Sequence, residues 1–290
     1  MLKEHQDFEE LSRVLSSFGI QKGDVVYVAS DITKLMYHVY NECGCDTEID
    51  YDEYLNQLVD TLQKYIGPEG TLLFPVYTWD FCRGNPFSLK ETKGEVGALN
   101  NWVLKKRKDF RRTQHPMYSF MVWGKDAQML VNMDNRDAWG EDSPFSYLEK
   151  NNAKTLMVDL PPSRCFTFLH YVEQKLRVPW RYTKEFRSLY TDAAGSTAER
   201  IYSMFVRDLD IESEVTKTLD ALLEQSGLLQ KIGWADITLY YTACQEAVPI
   251  LADDLQNHNA KMCYQFEGYT PDWKSGPTHK DYLIGEVKGL

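Results

Sequence analysis

The chain has 290 residues, 43% hydrophobic and 26% charged, which is enough for a buried core without disulfide staples and argues against wholesale disorder. Acidic residues number 43 against 32 basic, a net charge of −11, so a phosphate-tracking nucleic-acid binder ranks low; the balance serves solubility first and also suits a cationic substrate. No apolar run approaches the ~18 residues of a spanning helix, the N-terminus has no apolar h-region, and the six cysteines are scattered; the expectation is a cytoplasmic protein with reduced thiols and no membrane partner.

In chain order the hydrophobic period alternates. Leu2 to Phe18 has helical spacing (Phe8, Leu11, Val14, Leu15, Phe18), and Gly19 stops it. Val25 to Ala29 is a short β-rich run, and Ser30-Asp31 then heads a new element at Ile32, an N-cap arrangement. Asp50 to Ile66 is helical, Gly67 to Gly70 is a turn, and Thr71 to Tyr77 is a second apolar strand. Short helices follow at Asn100 to Lys108, Asp126 to Val131 and Ser146 to Lys150, with strands at Met117 to Trp123 and Thr155 to Val158. Phe166 to Lys175 is a helix. Strands are expected at Arg187 to Tyr190, Ile201 to Val206 and Ile237 to Thr242, and helices at Leu219 to Gln225 and Glu246 to Asn257. This alternation predicts an α/β fold. Gly268 to Leu290 reads as a loop-rich, loosely attached extension.

Two residues stand out chemically. His170 and Glu173 are i and i+3 on the helix, hence on one face, and a His beside a carboxylate is a reasonable general base near neutral pH. Glu173 could orient the ring or bind an acceptor amine. Ser30 and Asp31 lie at a strand-to-helix junction, and Tyr77 and Thr78 at the end of a second strand, the edge where α/β proteins usually bind ligands. No His, Cys, Asp or Glu cluster has metal spacing; Cys43-x-Cys45 lacks a second pair.

Six motifs occur in a specific order. Gly23-Asp24-Val25-Val26-Tyr27-Val28-Ala29-Ser30 comes first, then Gly67-Pro68-Glu69-Gly70 running into Thr71–Thr78. Gly94-Glu95-Val96-Gly97-Ala98-Leu99, Arg112-Thr113-Gln114-His115-Pro116-Met117-Tyr118-Ser119-Phe120, Gly140-Glu141-Asp142-Ser143-Pro144-Phe145 and Thr167-Phe168-Leu169-His170-Tyr171-Val172-Glu173 follow. Together, from about Leu11 to Leu255, they resemble the aminoglycoside 3-N-acetyltransferase family. The resemblance implies a mixed central sheet flanked by helices, unrelated to the GNAT acetyltransferases, and transfer from acetyl-CoA to the amine of an amino sugar. It implies one acetyltransferase domain over 1–267, with an α/β lobe at 1–180 and a smaller β-rich lobe at 181–267, and leaves a homo-oligomer open.

On that resemblance His170 is the base, with Glu173. Ser30, Asp31, Ile32, Tyr77, Thr78, Arg112, His115, Ser119 and Phe120 are expected at the acetyl-CoA site, and Trp79, Asp142, Ser143 and Glu173 at the acceptor. Arg112 could instead belong to a solvated basic patch, and His115 could be a buried ring bonded to backbone. Trp79 to Arg83 and Trp102 to Lys106 bring aromatic and basic residues together, which suits a nucleotide, so a nucleotide-linked amino sugar is the favoured acceptor and an aminoglycoside the alternative. A non-catalytic CoA-binding protein and an acyl-cysteine enzyme using Cys165 are the remaining classes. Gln230-Lys231-Ile232-Gly233-Trp234-Ala235 fits the pyrophosphate signature of GNAT enzymes, but strand-like Ile237 to Tyr241 follows where that signature needs a helix.

Overall fold

The computed structural model describes residues 6–44 and 47–278. Cys45 lies outside them, and with it the Cys43–Cys45 pair. The first half runs α1 (Gln6–Ser17), β1 (Val25–Ser30), α2 (Thr33–Cys43), α3 (Glu48–Ile66), β2 (Thr71–Tyr77), β3 (Phe87–Ser88), α4 (Ala98–Lys106), β4 (Arg111–Arg112) and β5 (Tyr118–Gly124). It continues α5 (Ala127–Val131), α6 (Pro144–Lys150), β6 (Lys154–Val158), α7 (Pro162–Cys165) and α8 (Phe168–Leu176). The remainder is β7 (Arg181–Thr191), β8 (Thr197–Arg207), β9 (Ser213–Val215), α9 (Thr218–Gln225), β10 (Gln230–Trp234), β11 (Ile237–Ala243), α10 (Cys244–Asn257) and β12 (Tyr264–Phe266).

Seven strands form the main sheet in the order β10-β11-β6-β1-β2-β5-β4. β1, β2 and β6 are mutually parallel, whereas β5 and β11 run antiparallel to their neighbours. Every residue of β1 and β2 is buried, as expected of central strands covered on both faces. Strand alternation sorts the core into two layers. Val26, Val28, Leu72, Phe74 and Val76 pack beneath α1 to α4, through Leu11, Leu35, Leu58 and Leu99. Tyr27, Ala29, Leu73, Tyr77 and Phe120 pack beneath Phe145 of α6, Phe168 of α8 and Leu251 of α10.

β7 and β8, eleven residues each, form one long hairpin rather than two short strands, and β3 pairs with β7 to give a three-stranded sheet. β10 and β11 join the main sheet, so the sheets do not divide at residue 180. The Gln230–Ala235 signature forms β10 and the turn of a β-hairpin, with Ala235 and Asp236 at positive φ; it opens no helix. The extension from Gly268 to Thr278 packs on the body. Trp273 meets Trp180 edge-on at 6.0 Å, and Thr278 N donates to Arg181 O at 3.0 Å.

Candidate active site

Register brings the ends of β1, β2 and β6 to one edge, where β5 begins: Ser30 is level with Val158, and Tyr77 with Tyr118. On the Tyr27–Tyr77 face of the sheet, α8 carries His170. Helix α8 ends at Arg177, whose φ of 56° reverses the chain, and Val178 N donates back to Glu173 O at 3.2 Å. That turn drops Trp180 and Arg181 beside the Glu173 carboxylate.

Glu173 is fully buried, beside two hydrogen-bonding partners and the Arg181 guanidinium. His170 Nδ1 lies 2.7 Å from Oε2, Arg181 Nε 2.9 Å from Oε2, and Trp180 Nε1 donates to Oε1 at 2.9 Å. Burial works against its charge, but Arg181, His170 and Trp180 outweigh it and hold the carboxyl at about 2. A carboxylate only accepts, so Nδ1 carries the ring proton and Nε2 keeps the lone pair. Arg181 Nη2, 3.0 Å from the same Nδ1, is therefore a charged neighbour of the ring and not a donor to it. The His170 side chain is 26% exposed. Burial and then the Arg181 guanidinium push its pKa down, with Glu173 pulling the other way, so the ring is neutral at pH 7.

Arg181 itself donates to Phe205 O at 3.1 Å and Tyr264 OH at 3.3 Å. Trp139 packs on His170 at 5.5 Å between ring centroids, and Tyr118 packs on Trp139 at 4.8 Å. Asp137 fixes that loop: it accepts from Trp139 N, Gln174 Nε2 and Ser203 Oγ. A cavity of about 720 Å³ adjoins, walled by Trp139 and Gln174 on one side and Tyr182 and Phe205 on the other.

The structure sorts the residues expected from sequence. Glu173 has no surface for an ammonium; it orients the ring. Ser143 is buried and caps α6 by accepting from Ser146 N, and Asp142 is exposed in the turn before it. Trp79 is half-buried at the rim, its Nε1 donating to Tyr118 OH at 3.4 Å.

Around the expected acetyl-CoA site, Ile32 and Phe120 are core residues, and Tyr77 is buried with its hydroxyl 3.4 Å from that of Tyr27. Thr78 Oγ1 donates to Glu95. His115 is wholly buried: Nδ1 accepts from Tyr118 N at 3.1 Å, and burial pulls its pKa down to about 3, so it is a neutral ring that braces the loop. Ser119 Oγ bridges Arg112 Nε and Val76 O at 2.9 Å each.

Arg112 is not part of a solvated patch. It is buried, donates to Ser119, Leu89 O, Thr92 O and Val76 O, and lies over Phe87; direct phosphate ligation is precluded, although no carboxylate among the described residues neutralises its charge. Ser30 and Asp31 do reach the sheet edge. Ser30 Oγ is buried without a partner, and Asp31 accepts from Thr33 N at 3.0 Å at the head of α2. The basic-aromatic clusters are engaged elsewhere: Arg83 pairs with Glu95, while Trp102 and Lys106 both bond Asp52 and Trp102 packs in the layer of α1 to α4. Cys165 Sγ is 3.5 Å from Leu160 O and 3.4 Å from Pro161 O, and burial pushes its pKa far up, the opposite of an activated thiol. No group of three or more His, Cys, Asp or Glu among the described residues could hold a metal ion, and no helix among them is long and apolar enough to cross a membrane.

Arg181, Tyr264 and Asp137 were not legible as site residues in the sequence, nor was the contact of Trp180 with Glu173. Arg181 and Trp180 reach Glu173 through a left-handed turn, and Asp137 acts across three elements, so no fixed spacing announces them.

The sequence pattern of the aminoglycoside 3-N-acetyltransferase family matches residues 48–256. The chain belongs to that family. As an aminoglycoside 3-N-acetyltransferase family member it is an acyltransferase that takes its acetyl group from acetyl-CoA. The fold agrees. AAC-VIa bound to sisomicin superposes with a TM-score of 0.68 at 18% identity, covering 87% of this chain and 98% of that one. AAC-IIIb in binary complex with CoASH gives 0.69 at 17%, covering 91% and 98%. The YokD protein from Bacillus subtilis gives 0.66 at 17%, covering 87% and 100%. No curated protein sequence matches.

Proposed function

We propose that the protein transfers an acetyl group directly to the amine of an amino sugar, with His170 Nε2 as general base. The observation that carries this is the His170–Glu173 contact: the carboxylate fixes the proton on Nδ1 and leaves Nε2 as the proton acceptor. When bound, acetyl-CoA supplies the acetyl group as a thioester. His170 takes the proton of the attacking nitrogen as the new N–C bond forms, and the imidazolium returns a proton to the thiolate released as the thioester C–S bond breaks. Glu173 and Arg181 hold the ring in one tautomer and orientation. Glu173 also offsets the positive charge that arises on the imidazolium, and Trp139 fixes the ring from the side. The inert setting of Cys165 favours direct transfer over an acyl-cysteine.

The β1–α2 junction suits the acyl donor. Ser30 Oγ is an orphaned buried hydroxyl there, the head of α2 presents first-turn N–H groups, and exposed Arg164, within electrostatic reach of Asp31, forms no ion pair among the described residues. Residues 1–267 work in this reading as one acetyltransferase unit, and four described cysteines without disulfides suit a cytoplasmic protein. As acceptor an aminoglycoside is favoured, since the family description and the sisomicin and apramycin complexes of similar structures name that class. The nucleotide-linked sugar loses the basic-aromatic clusters that suggested it. CoA release measured with aminoglycosides and nucleotide amino sugars side by side tests the reading: turnover with at least one amino sugar is expected, and none with any amine would refute it.

A further inference from the structure

The contact of His170 Nδ1 with Glu173 sets the tautomer, but one hydrogen bond leaves the ring free to tilt about it. The flank of the ring is met by Trp139, at 5.5 Å between centroids. That indole has no polar hold of its own: the residue is 3% exposed, and Nε1 has no partner among the described residues. Its place is set by packing and by the backbone at residue 139, where Trp139 N donates to Asp137 Oδ1 at 2.9 Å.

The Asp137 carboxylate reaches in two further directions. Oδ1 also accepts from Gln174 Nε2 at 2.6 Å, and Oδ2 accepts from Ser203 Oγ at 2.9 Å. Gln174 lies one turn of α8 beyond His170, so the contacts close a circuit: His170, one helical turn, Gln174, Asp137, Trp139 and back to His170. The backbone by itself already joins residues 136–138 to β8. Ala138 N donates to Ser203 O at 3.0 Å, and Ser203 N donates to Arg136 O at 2.7 Å. The side chain of Asp137 is therefore not what docks this segment. What it adds is the tie from Trp139 to the helix that carries the base.

We propose that Asp137 is a positioning residue for acetyl transfer: it locks Trp139 to α8 and so holds the His170 ring, and with it Nε2, in one direction. The proposal rests on His170 as the base and deepens that reading. A small misplacement of a reacting group is costly, since about 1 Å can lose about 10²-fold in rate.

Histidine-selective 15N NMR tests the tie without a substrate, the His170 signals being assigned by their loss in His170→Ala. In the wild type the Nδ1–H signal should persist, because a fixed ring keeps its bond to Glu173. In Asp137→Ala it should be lost to exchange with water. Asp137→Asn keeps an oxygen for Trp139 N and Gln174 Nε2 and should restore it. Circular dichroism should show folded variants, since the backbone pairs with β8 remain. If Asp137→Ala does not fold, Gln174→Met cuts the same tie from the α8 side and should lose the signal in its place. In steady-state assays with the best acceptor of the amine panel, Asp137→Ala should lower kcat about ten-fold while both KM values stay within about three-fold. Added to Trp139→Ala, it should cost less than about two-fold more, because it acts through that ring. A signal that persists in the folded variant, a fully additive double variant, or a rise in KM with kcat unchanged would overturn the proposal. A folded His170→Ala with near-wild-type kcat refutes the base reading, while the NMR signal still decides whether Asp137 holds the ring. Turnover lost in His170→Ala, with the signal unmoved in Asp137→Ala, refutes the positioning role alone.

Discussion

Replacing Arg181 by methionine isolates the charge that tunes the base. Its Nη2 lies 3.0 Å from His170 Nδ1, and its positive charge disfavours the imidazolium. Like charges this close repel, so removing the guanidinium lets the imidazolium form more readily. The His170 side chain is 26% exposed, so solvent screens part of this repulsion. The sign is upward. In the wild type the base form persists below the ordinary histidine value of about 6.5, and activity is lost only as pH falls through the depressed pKa. Stability follows the same sense: between the depressed and ordinary values the unfolded chain binds the proton more readily, so stability declines as pH falls through that window. In Arg181→Met the acid limb of kcat/KM should move towards higher pH. The variant also leaves Glu173 short of a partner, and breaking a buried pair costs about 3–5 kcal/mol. Circular dichroism and Tm must therefore show a folded protein at the assay temperature. An acid limb that stays in place or moves to lower pH in the folded variant would refute the electrostatic account of His170.

Cys165→Ser should keep kcat within about two-fold, because a thiol with a raised pKa supplies no nucleophile; a loss beyond ten-fold in steady-state assays contradicts direct transfer. Gly124→Ala should unfold at markedly lower temperature, by more than about 2 kcal/mol, since a Cβ at φ 106° would stand 2.0 Å from Gly70 O. Thermal melts check this, and an unchanged Tm would show that the β2–β5 end relaxes freely. Trp273→Ala removes the ring packed on Trp180, which holds Glu173; kcat should fall about three- to ten-fold with the acetyl-CoA KM little altered. Unchanged kcat would detach the extension from the site.

Much of the main sheet was readable because β1, β2 and β6 are short apolar runs bounded by turns, and α3 has both a helical period and a capping box at Thr47 and Asp50. The β7–β8 hairpin was read as two short strands because its exposed half, through Ala198 and Glu199, lacks an apolar signal. The pair His170 and Glu173 was legible from i, i+3 spacing, which left Glu173 free to orient the ring or to bind an amine; its burial beside His170, Trp180 and Arg181 leaves no surface for the amine. Arg112, His115 and Ser119 belong to a motif that is conspicuous in sequence. Their side chains turn inward to brace β2, β5 and the loop between β4 and β5, so a recognisable motif here marks a scaffold. Gly94 explains itself similarly: a side chain there would crowd Val76 and Tyr77 O, where Glu95 N meets the end of β2. Arg181 could not be found from spacing, because only the reversal at Arg177 brings it to the ring.

His170→Ala, assayed for kcat with the acceptor identified by the amine panel and for coenzyme A affinity by calorimetry, bears most directly on the assignment of the base. A folded variant with kcat lowered by roughly 10²–10⁴-fold and coenzyme A affinity kept is the predicted result. A folded variant with near-wild-type kcat would contradict it and make His170 a structural residue.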